Sequence, residues 1–382
     1  MNALAAVAAT TGAMAQSVTI SGRVDLGHAN IKSSSTIDGD SSTSKSSQLA
    51  GEQHGRTTSR LTFAGSEDLG GGLKASFNYE TRLSPDNTTT PGFDRTRNMF
   101  LNLTGGFGSV TVGTFLNAFD TVRGYSAATY SAPGGDFLAN HIGFLADGGA
   151  GSSLRAALIA DLVAGGVTVP DATALVNATG NNGIGPRSTN AIAYGTKIGD
   201  ITLGVGLTNQ KSSTDATALN HTRGHILSAG YASGPIKANL AIGQAKSDAK
   251  TTLTNLTAGK TTDTAFAISY DFGVAVPYIQ HERTKVSYTS LLGSTTGLDD
   301  VTLKTKATEI GSRFPMGAFT PFVTLSRGEV ADGLKTSAYQ LGTTYDLSKR
   351  TYLYVAAGQI KAKTNDVNLN SRGYKAGLVH SF

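Results

Sequence analysis

Hydrophobic and polar residues alternate with a period of two along much of this chain. In the stretch 17–31, Val18, Ile20, Val24 and Leu26 share one parity, while Thr19, Ser21, Arg23 and Asp25 share the other. Leu73, Ala75, Phe77 and Tyr79 alternate in the same way with Lys74, Ser76, Asn78 and Glu80. The final stretch repeats the pattern. Tyr374, Ala376, Leu378 and Phe382 oppose Gly373, Lys375, Gly377 and Ser381, with Val379 and His380 out of step. Such alternation predicts strands with one apolar and one polar face, and a clear difference between faces fixes the pairing register.

The connections alternate as well. Short turns fall at 70–72, 105–108, 198–200, 233–235, 271–273, 315–318 and 348–349. Long polar connections fall at 33–54, 84–94, 115–187, 209–223, 247–263, 288–300, 331–334 and 365–371. Seven turns between eight loops imply about sixteen strands, with both chain ends on the short-turn side. A sandwich or β-helix does not generate this order. The expectation is an all-β fold, a 16-stranded antiparallel transmembrane β-barrel. Its last strand, 372–382, should pair with 17–31 and seal the ring, and the terminal Phe382 should anchor at the lipid interface. The third long connection, 115–187, far exceeds ordinary loop lengths. It is partly apolar and holds a helix-like stretch, 153–164, too short to cross a bilayer. Such a segment must fold against something, and the lumen is available, so the third loop should fold inward.

Composition narrows the class without settling it alone. Charged residues make up 15% of 382, below the ~25% usual in soluble proteins. Mean hydropathy is -0.10, and no apolar run reaches the ~18–20 residues of a spanning helix. A soluble all-β protein and a membrane barrel both fit those values, and the strand and turn pattern favours the barrel. There is no cysteine, which excludes disulfides, thiolate metal sites and cysteine nucleophiles. The net charge of +5 is mild and no basic run points to nucleic acid. Residues 1–15 are small and apolar and close on Ala13-Met14-Ala15, an A-x-A cleavage pattern. They read as a signal peptide with a truncated basic region (a buried helix being the alternative), leaving 16–382 as the barrel domain.

A water-filled pore needs fixed charge at its narrowest point, where low-dielectric walls focus the field. Arginine suits this because it stays charged at any relevant pH. Arg23, Arg60, Lys74 and Arg82 lie on the polar parity of their strands and should face the lumen; the alternative is solvated wall charge away from the narrow zone. Arg97 is harder to place, because the alternation around 99–103 is poor. Glu67 and Asp68 precede a glycine turn and read as turn-capping groups. The histidines show no metal-ligand clustering. His221 and His225 are four apart but lie between a loop and a strand. No Gly-x-Ser-x-Gly or other nucleophile motif occurs. No catalytic residue, cofactor or metal is therefore expected. Tyr79, Tyr194, Tyr231, Tyr270, Tyr345, Tyr352, Tyr354 and Phe382 sit near strand ends, as interfacial girdles do.

Several stretches in chain order carry a family resemblance: SVTISGRVD at 17–25, SRLTFAGSEDLGGGLK at 59–74, NLTGGFGSVTVG at 102–113, NAIAY at 190–194, DLSKRT at 346–351 and GLVHSF at 377–382. The sequence resembles the general porins of Gram-negative outer membranes, most closely the β-proteobacterial trimeric type. The resemblance implies a homotrimer in contact with outer-membrane lipid and lipopolysaccharide. It also implies a third loop that narrows each channel. By matched position Arg60, Arg97 and Arg187 are wall arginines, and Asp120 and Asp136 belong to the third loop. With Arg23, Arg82 and Lys74 they form the expected pore-constriction set. Phe382 looks like the membrane-insertion signal read by the outer-membrane assembly machinery. Two departures affect pore size and ion preference: Gly113-Thr114 stands where the family has Gly-Arg, and 145–182 is extra sequence. The function implied is diffusion of ions and small hydrophilic solutes, with a weak lean towards anions. A substrate-selective channel on the same fold is the runner-up. An outer-membrane enzyme and a soluble all-β adhesin are readings from other classes.

Overall fold

The structure, a computed structural model, describes residues 17–37, 39–50, 58–84, 92–128, 184–214, 218–250, 259–288, 301–330, 333–364 and 367–382. The expected signal peptide 1–15, Asp136, the helix-like stretch 153–164 and the extra sequence 145–182 lie outside the described residues.

The first strands are β1 (Ser17–Ile37), β2 (Asp40–Ala50), β3 (Arg60–Gly70), β4 (Leu73–Ser84), β5 (Gly92–Gly105) and β6 (Gly108–Leu116). A short helix α1 (Ala118–Arg123) follows. The chain continues through β7 (Arg187–Ile198), β8 (Ile201–Thr214), β9 (Ala218–Ser233), β10 (Ile236–Lys250), β11 (Gly259–Tyr270) and β12 (Val276–Tyr288). It ends with β13 (Val301–Arg313), β14 (Phe319–Val330), β15 (Leu334–Asp346), β16 (Thr351–Lys363) and β17 (Val367–Ser381).

All pairings are antiparallel; they join chain neighbours except that β1 also pairs with β3, and β17 returns to β1 from Arg23↔Ser381 to Ile37↔Val367. Two further bonds finish the seam, Gly22 N–H to Phe382 O at 3.0 Å and Phe382 N–H to Gly22 O at 3.1 Å. The seventeen segments make sixteen staves, because β2 and β3 pair with the loop-side and turn-side halves of β1 and act as one interrupted stave. Among the described residues the staves of the lipid zone are paired on both sides, which is what lets a sheet cross lipid.

The burial pattern is inverted relative to a soluble protein. Val18 is 63% exposed and Leu101 68%, whereas Glu282, Glu309 and Lys375 are fully buried. The outward parity of each stave is apolar and meets lipid; the inward parity is polar. Short turns fall where the glycine signals place them. Gly70, Gly71 and Gly72 all have positive φ (80°, 61° and 80°), a run only glycine makes without strain.

The stretch 33–54, expected as a loop, is mostly a hairpin. β1 continues to Ile37 and β2 pairs back along it, turning at Gly39 (φ 91°). At 21 residues, β1 is about twice the ~9–11 residues a tilted strand needs to cross a bilayer. Its outer half stands in water, where both faces can be polar and alternation vanishes although the ladder continues. The loop expected at 209–223 shortens for the same reason, as β8 reaches Thr214 and β9 begins at Ala218.

Candidate functional site

The lumenal face of β1, β3 and β4 carries a row of arginines in register: Arg23 opposite Arg60, and Arg60 opposite Arg82. Like charges directly opposed across strands repel. The acid they share is Glu80, one rung closer to the turns. It is nearly buried, with Arg97 Nε at 2.6 Å from one carboxylate oxygen and Arg60 Nε at 3.5 Å from the other. Arg97 reaches this place through a bulge. Asn98 pairs with Glu80 and Thr96 with Thr81, so Arg97 has no partner opposite it. A bulge of this kind bends the strand and re-aims one side chain. This is why parity along the sequence could not place Arg97. Met99, Leu101 and Leu103 themselves alternate outward in the regular way.

Arg187 opens β7 and its Nε lies 3.3 Å from Asn98 Oδ1, beside the same cluster. Asp120 comes to it on α1, near enough to feel the charges of Arg187, Arg123, Arg97 and Arg60. Burial raises the Asp120 pKa above the usual carboxylate range, and those four arginines oppose the rise without cancelling it. Arg60, Arg97, Arg187, Arg23 and Asp120 are therefore brought together, with Arg82 in the arginine row. Lys74 is not among them. It sits exposed at the turn end of β4, opposite Thr104, six residues or roughly 20 Å along the strand from Glu80.

The long connection enters the lumen at once. Asn117 caps α1, its side chain accepting from Phe119 N–H at 3.0 Å. The same side chain donates to Gly185 O at 2.8 Å, and Asn117 N–H donates to Pro186 O at 3.0 Å, so the two ends of the connection are tied together. Phe119 and Val122 are buried against Ile226, Ala241, Ala265 and Ala267, with Ile184 packed beside them. Ala265 and Ala267 alternate with the exposed Phe266 and Ile268, so α1 lies on the inner wall. That wall is shaved to alanine and glycine to accept it. A Cβ at Gly243 would collide with Ile184 and Phe119.

Polar contacts then rivet the segment to β10–β13. Arg123 forms a buried ion pair with Glu282, Nε to Oε2 at 2.9 Å, and donates to Ile184 O at 3.2 Å. Desolvation would lower the Arg123 pKa, but Glu282, Asp263 and Asp120 outweigh it and raise it. Asp263 accepts from Ile184 N–H at 2.6 Å and from the Thr284 hydroxyl. Tyr125 donates to Asn239 Oδ1 at 2.7 Å, and Arg313 donates to the carbonyls of Tyr125 and Ser126 at 3.1 and 2.5 Å. Ala127 N–H donates to the Tyr278 hydroxyl at 2.9 Å, which in turn donates to Glu309 at 2.8 Å. The sequence reading missed this platform. Glu282 and Glu309 lie on the polar parity of their strands, which was a usable signal; nothing local marked Arg123 as the partner of Glu282.

A further polar knot lies at the seam. Asp25 is buried and accepts from the Tyr354 hydroxyl at 3.1 Å, and the charge of buried Lys375 interacts with it. Tyr354 was expected in an interfacial girdle. It points inward instead, lying across Gly27 and Gly377, where any Cβ would strike its hydroxyl. Tyr352 shares its parity. Tyr194, Tyr231, Tyr270 and Tyr345 are exposed near the short turns, as a girdle requires. Among the described residues no group of three or more His, Cys, Asp or Glu could hold a metal ion.

A closed antiparallel barrel with an apolar outer band, a polar lumen and a loop docked inside it defines a pore-forming barrel of a membrane. Its sequence agrees. A family model described as Gram-negative porin matches residues 3–365. The outer membrane porin protein 32 of Delftia acidovorans is 30% identical, over 99% of this chain and 94% of that protein. The chain belongs to the Gram-negative porin family, and its place is the outer membrane. The anion-selective porin from Comamonas acidovorans has the same fold, with a TM-score of 0.64 and 23% identity over 96% of this chain and all of that one. OmpT of Vibrio cholerae in its trimer form also shares it, at 0.60 and 12% identity over 96% and 100%.

Proposed function

We propose that this porin is a general diffusion channel for ions and small hydrophilic solutes, with a weak preference for anions, working without turnover or cofactor. The observation that carries the preference is the arginine group of Arg23, Arg60, Arg97 and Arg187 facing Glu80 and the hard-to-ionise Asp120. We assign the constriction to this group and α1; Lys74 belongs to the turn-side mouth. The name of the related Comamonas protein, an anion-selective porin, supports the same sign.

Reversal potentials in a planar bilayer under a salt gradient test the proposal. Anions should permeate faster than cations, and a cation preference overturns it. Saturable block of the current by one solute would favour the substrate-selective reading. A homotrimer is the proposed assembly. The outward face of β5–β7 offers it an apolar surface, with Met99, Leu101, Val112 and Ile192 exposed. Phe382 is the proposed insertion signal. Its deletion should lower the yield of assembled porin far more than the conductance of the molecules that do insert, because its backbone closes the seam on Gly22. Normal assembly would refute that role.

A further inference from the structure

Arg60 occupies an awkward place in the barrel. It is the first residue of β3, and its register neighbours on either side, Arg23 and Arg82, carry the same charge. Like charges directly opposed across strands destabilise a sheet, and chain ends of elements are where local opening begins. The stave is also interrupted on the loop side of Arg60. β1 pairs with β3 as far as Arg23↔Arg60 and with β2 from Gly27↔Ala50, so Val24, Asp25 and Leu26 pair with neither. Glu80 attracts Arg60 but holds Arg97 closer, at 2.6 Å against 3.5 Å.

Ser59 supplies the missing rung. It is fully buried. Its hydroxyl accepts from Asp25 N–H at 2.9 Å and donates to Asp25 O at 3.4 Å, so one side chain serves both main-chain groups of Asp25. A ladder partner would do the same. Ser59 O accepts from Leu83 N–H at 2.9 Å, which ties the residue to β4 as well. Asp25 is held in turn from across the seam. Tyr354 of β16 reaches over Gly377 of β17 and Gly27 of β1 and donates to Asp25 Oδ1 at 3.1 Å. Both glycines are required, because a Cβ on either would strike the Tyr354 hydroxyl. Buried Lys375 answers the Asp25 charge, so the knot fixes geometry without adding net charge to the lumen. Tyr352, on the same face of β16, stands close enough to interact with the charge of Arg60.

We propose that Ser59, Asp25 and Tyr354 are positioning residues for ion selection. They hold Arg60 at its place in the arginine group, so the anion preference depends on how the closing seam is clasped. Ser59 and Tyr354 are neutral and the Asp25 charge is met by Lys375, so the three act through Arg60 and not through a field of their own. The inference rests on the anion preference assigned to the arginine group.

Reversal potentials of the full-length porin in planar bilayers test this with substitutions that change no charge. Ser59→Ala and Tyr354→Phe should each lower the anion-to-cation permeability ratio about twofold, the scale of one displaced wall charge. Tyr339→Phe, on the exposed outer surface, should leave it unchanged. Ser59→Thr keeps the hydroxyl and should keep the wild-type ratio. Arg60→Ala gives the reference loss, and adding Ser59→Ala to it should lower the ratio no further, because residues acting through one group are not additive. Thermal stability in detergent identifies a variant that fails to fold, and Tyr354→Phe carries the test if Ser59→Ala does. A wild-type ratio in channels of Ser59→Ala or Tyr354→Phe overturns the proposal. So does an additive loss in the double variant, which would place the effect away from Arg60. A loss in Ser59→Thr equal to that in Ser59→Ala would make the effect one of packing and overturn it too. Wild-type channels without anion preference, or an Arg60→Ala ratio equal to wild type, would strike the selectivity reading and this inference with it. A normal Arg60 effect beside inert Ser59 and Tyr354 strikes only the inference.

Discussion

The inner face of β1, β3, β4 and β5 holds Arg23, Arg60, Arg82 and Arg97 around Glu80, whereas that of β11, β12 and β13 holds Asp263, Glu282 and Glu309 beneath α1 and the residues after it. Both walls are lumenal and both are polar. On the first, the described cations outnumber the acid. On the second, Asp263 and Glu282 are bonded directly to the docked segment, and Glu309 is linked to it through Tyr278. A charge on the lumenal parity is thus not yet a free wall charge; the docked segment decides which wall keeps its charges uncovered. The second wall acts as a fastener, since a buried pair contributes geometry more than net stability but is costly to break.

The sharpest way to break this contrast is Glu282→Ala. It leaves Arg123 buried without its partner, and α1 should lose about 3 kcal/mol of docking stability. Proteolysis within 117–187 should accelerate and single-channel conductance should rise or become noisy, while the barrel still inserts. An intact loop and unchanged conductance would show that Glu282 is no fastener.

Next in size is the arginine wall. Arg60→Ala with Arg97→Ala should cut the anion-to-cation permeability ratio severalfold without loosening the loop. Glu80→Gln should move the ratio the opposite way and cost about 1–3 kcal/mol of local stability through lost charge-assisted bonds. Reversal potentials read both; shifts of the same sign would contradict the assignment.

The smallest effect is on pH. The Asp120 carboxyl is held above its ordinary range by burial, so it protonates before a free aspartate as pH falls. Acidification then removes a negative charge beside Arg187 and Arg97, and the anion preference should rise. The folded value lies above the unfolded one, so protonation favours docking of α1 and ionisation opposes it. The loop should therefore not loosen as pH falls through this range. Asp120→Asn should flatten the pH dependence of selectivity in titrated reversal potentials, and an unchanged slope would place the titrating charge elsewhere.

Within the lipid zone the strands were legible in the sequence, because one face must be apolar there and the other need not be. The glycine turns and the closing of 372–382 onto β1 followed from the same pattern. Beyond the lipid zone the signal failed at 33–54, where Ser- and Thr-rich strands have water on both sides. In the site, Arg23, Arg60 and Arg82 were legible from parity, and Arg97 and Arg187 only from resemblance, since Arg97 lies on a bulge and Arg187 at a strand start. Tyr354 misled, because an inward aromatic covering Gly27 and Gly377 looks locally like an interfacial one.

By itself, then, the chain determined the barrel, its alternation of short turns and long loops and the pairing of 372–382 with 17–31 that seals its ends. Period two and turn chemistry are local properties that lipid makes obligatory. Only the tertiary structure decided which lumenal charges cluster and which meet the docked segment. Arg123 meets Glu282 across 159 residues, Arg97 turns inward through a register shift, and the acids of β11–β13 disappear beneath a segment whose docking depends on alanines and a glycine four and five staves away from where it begins.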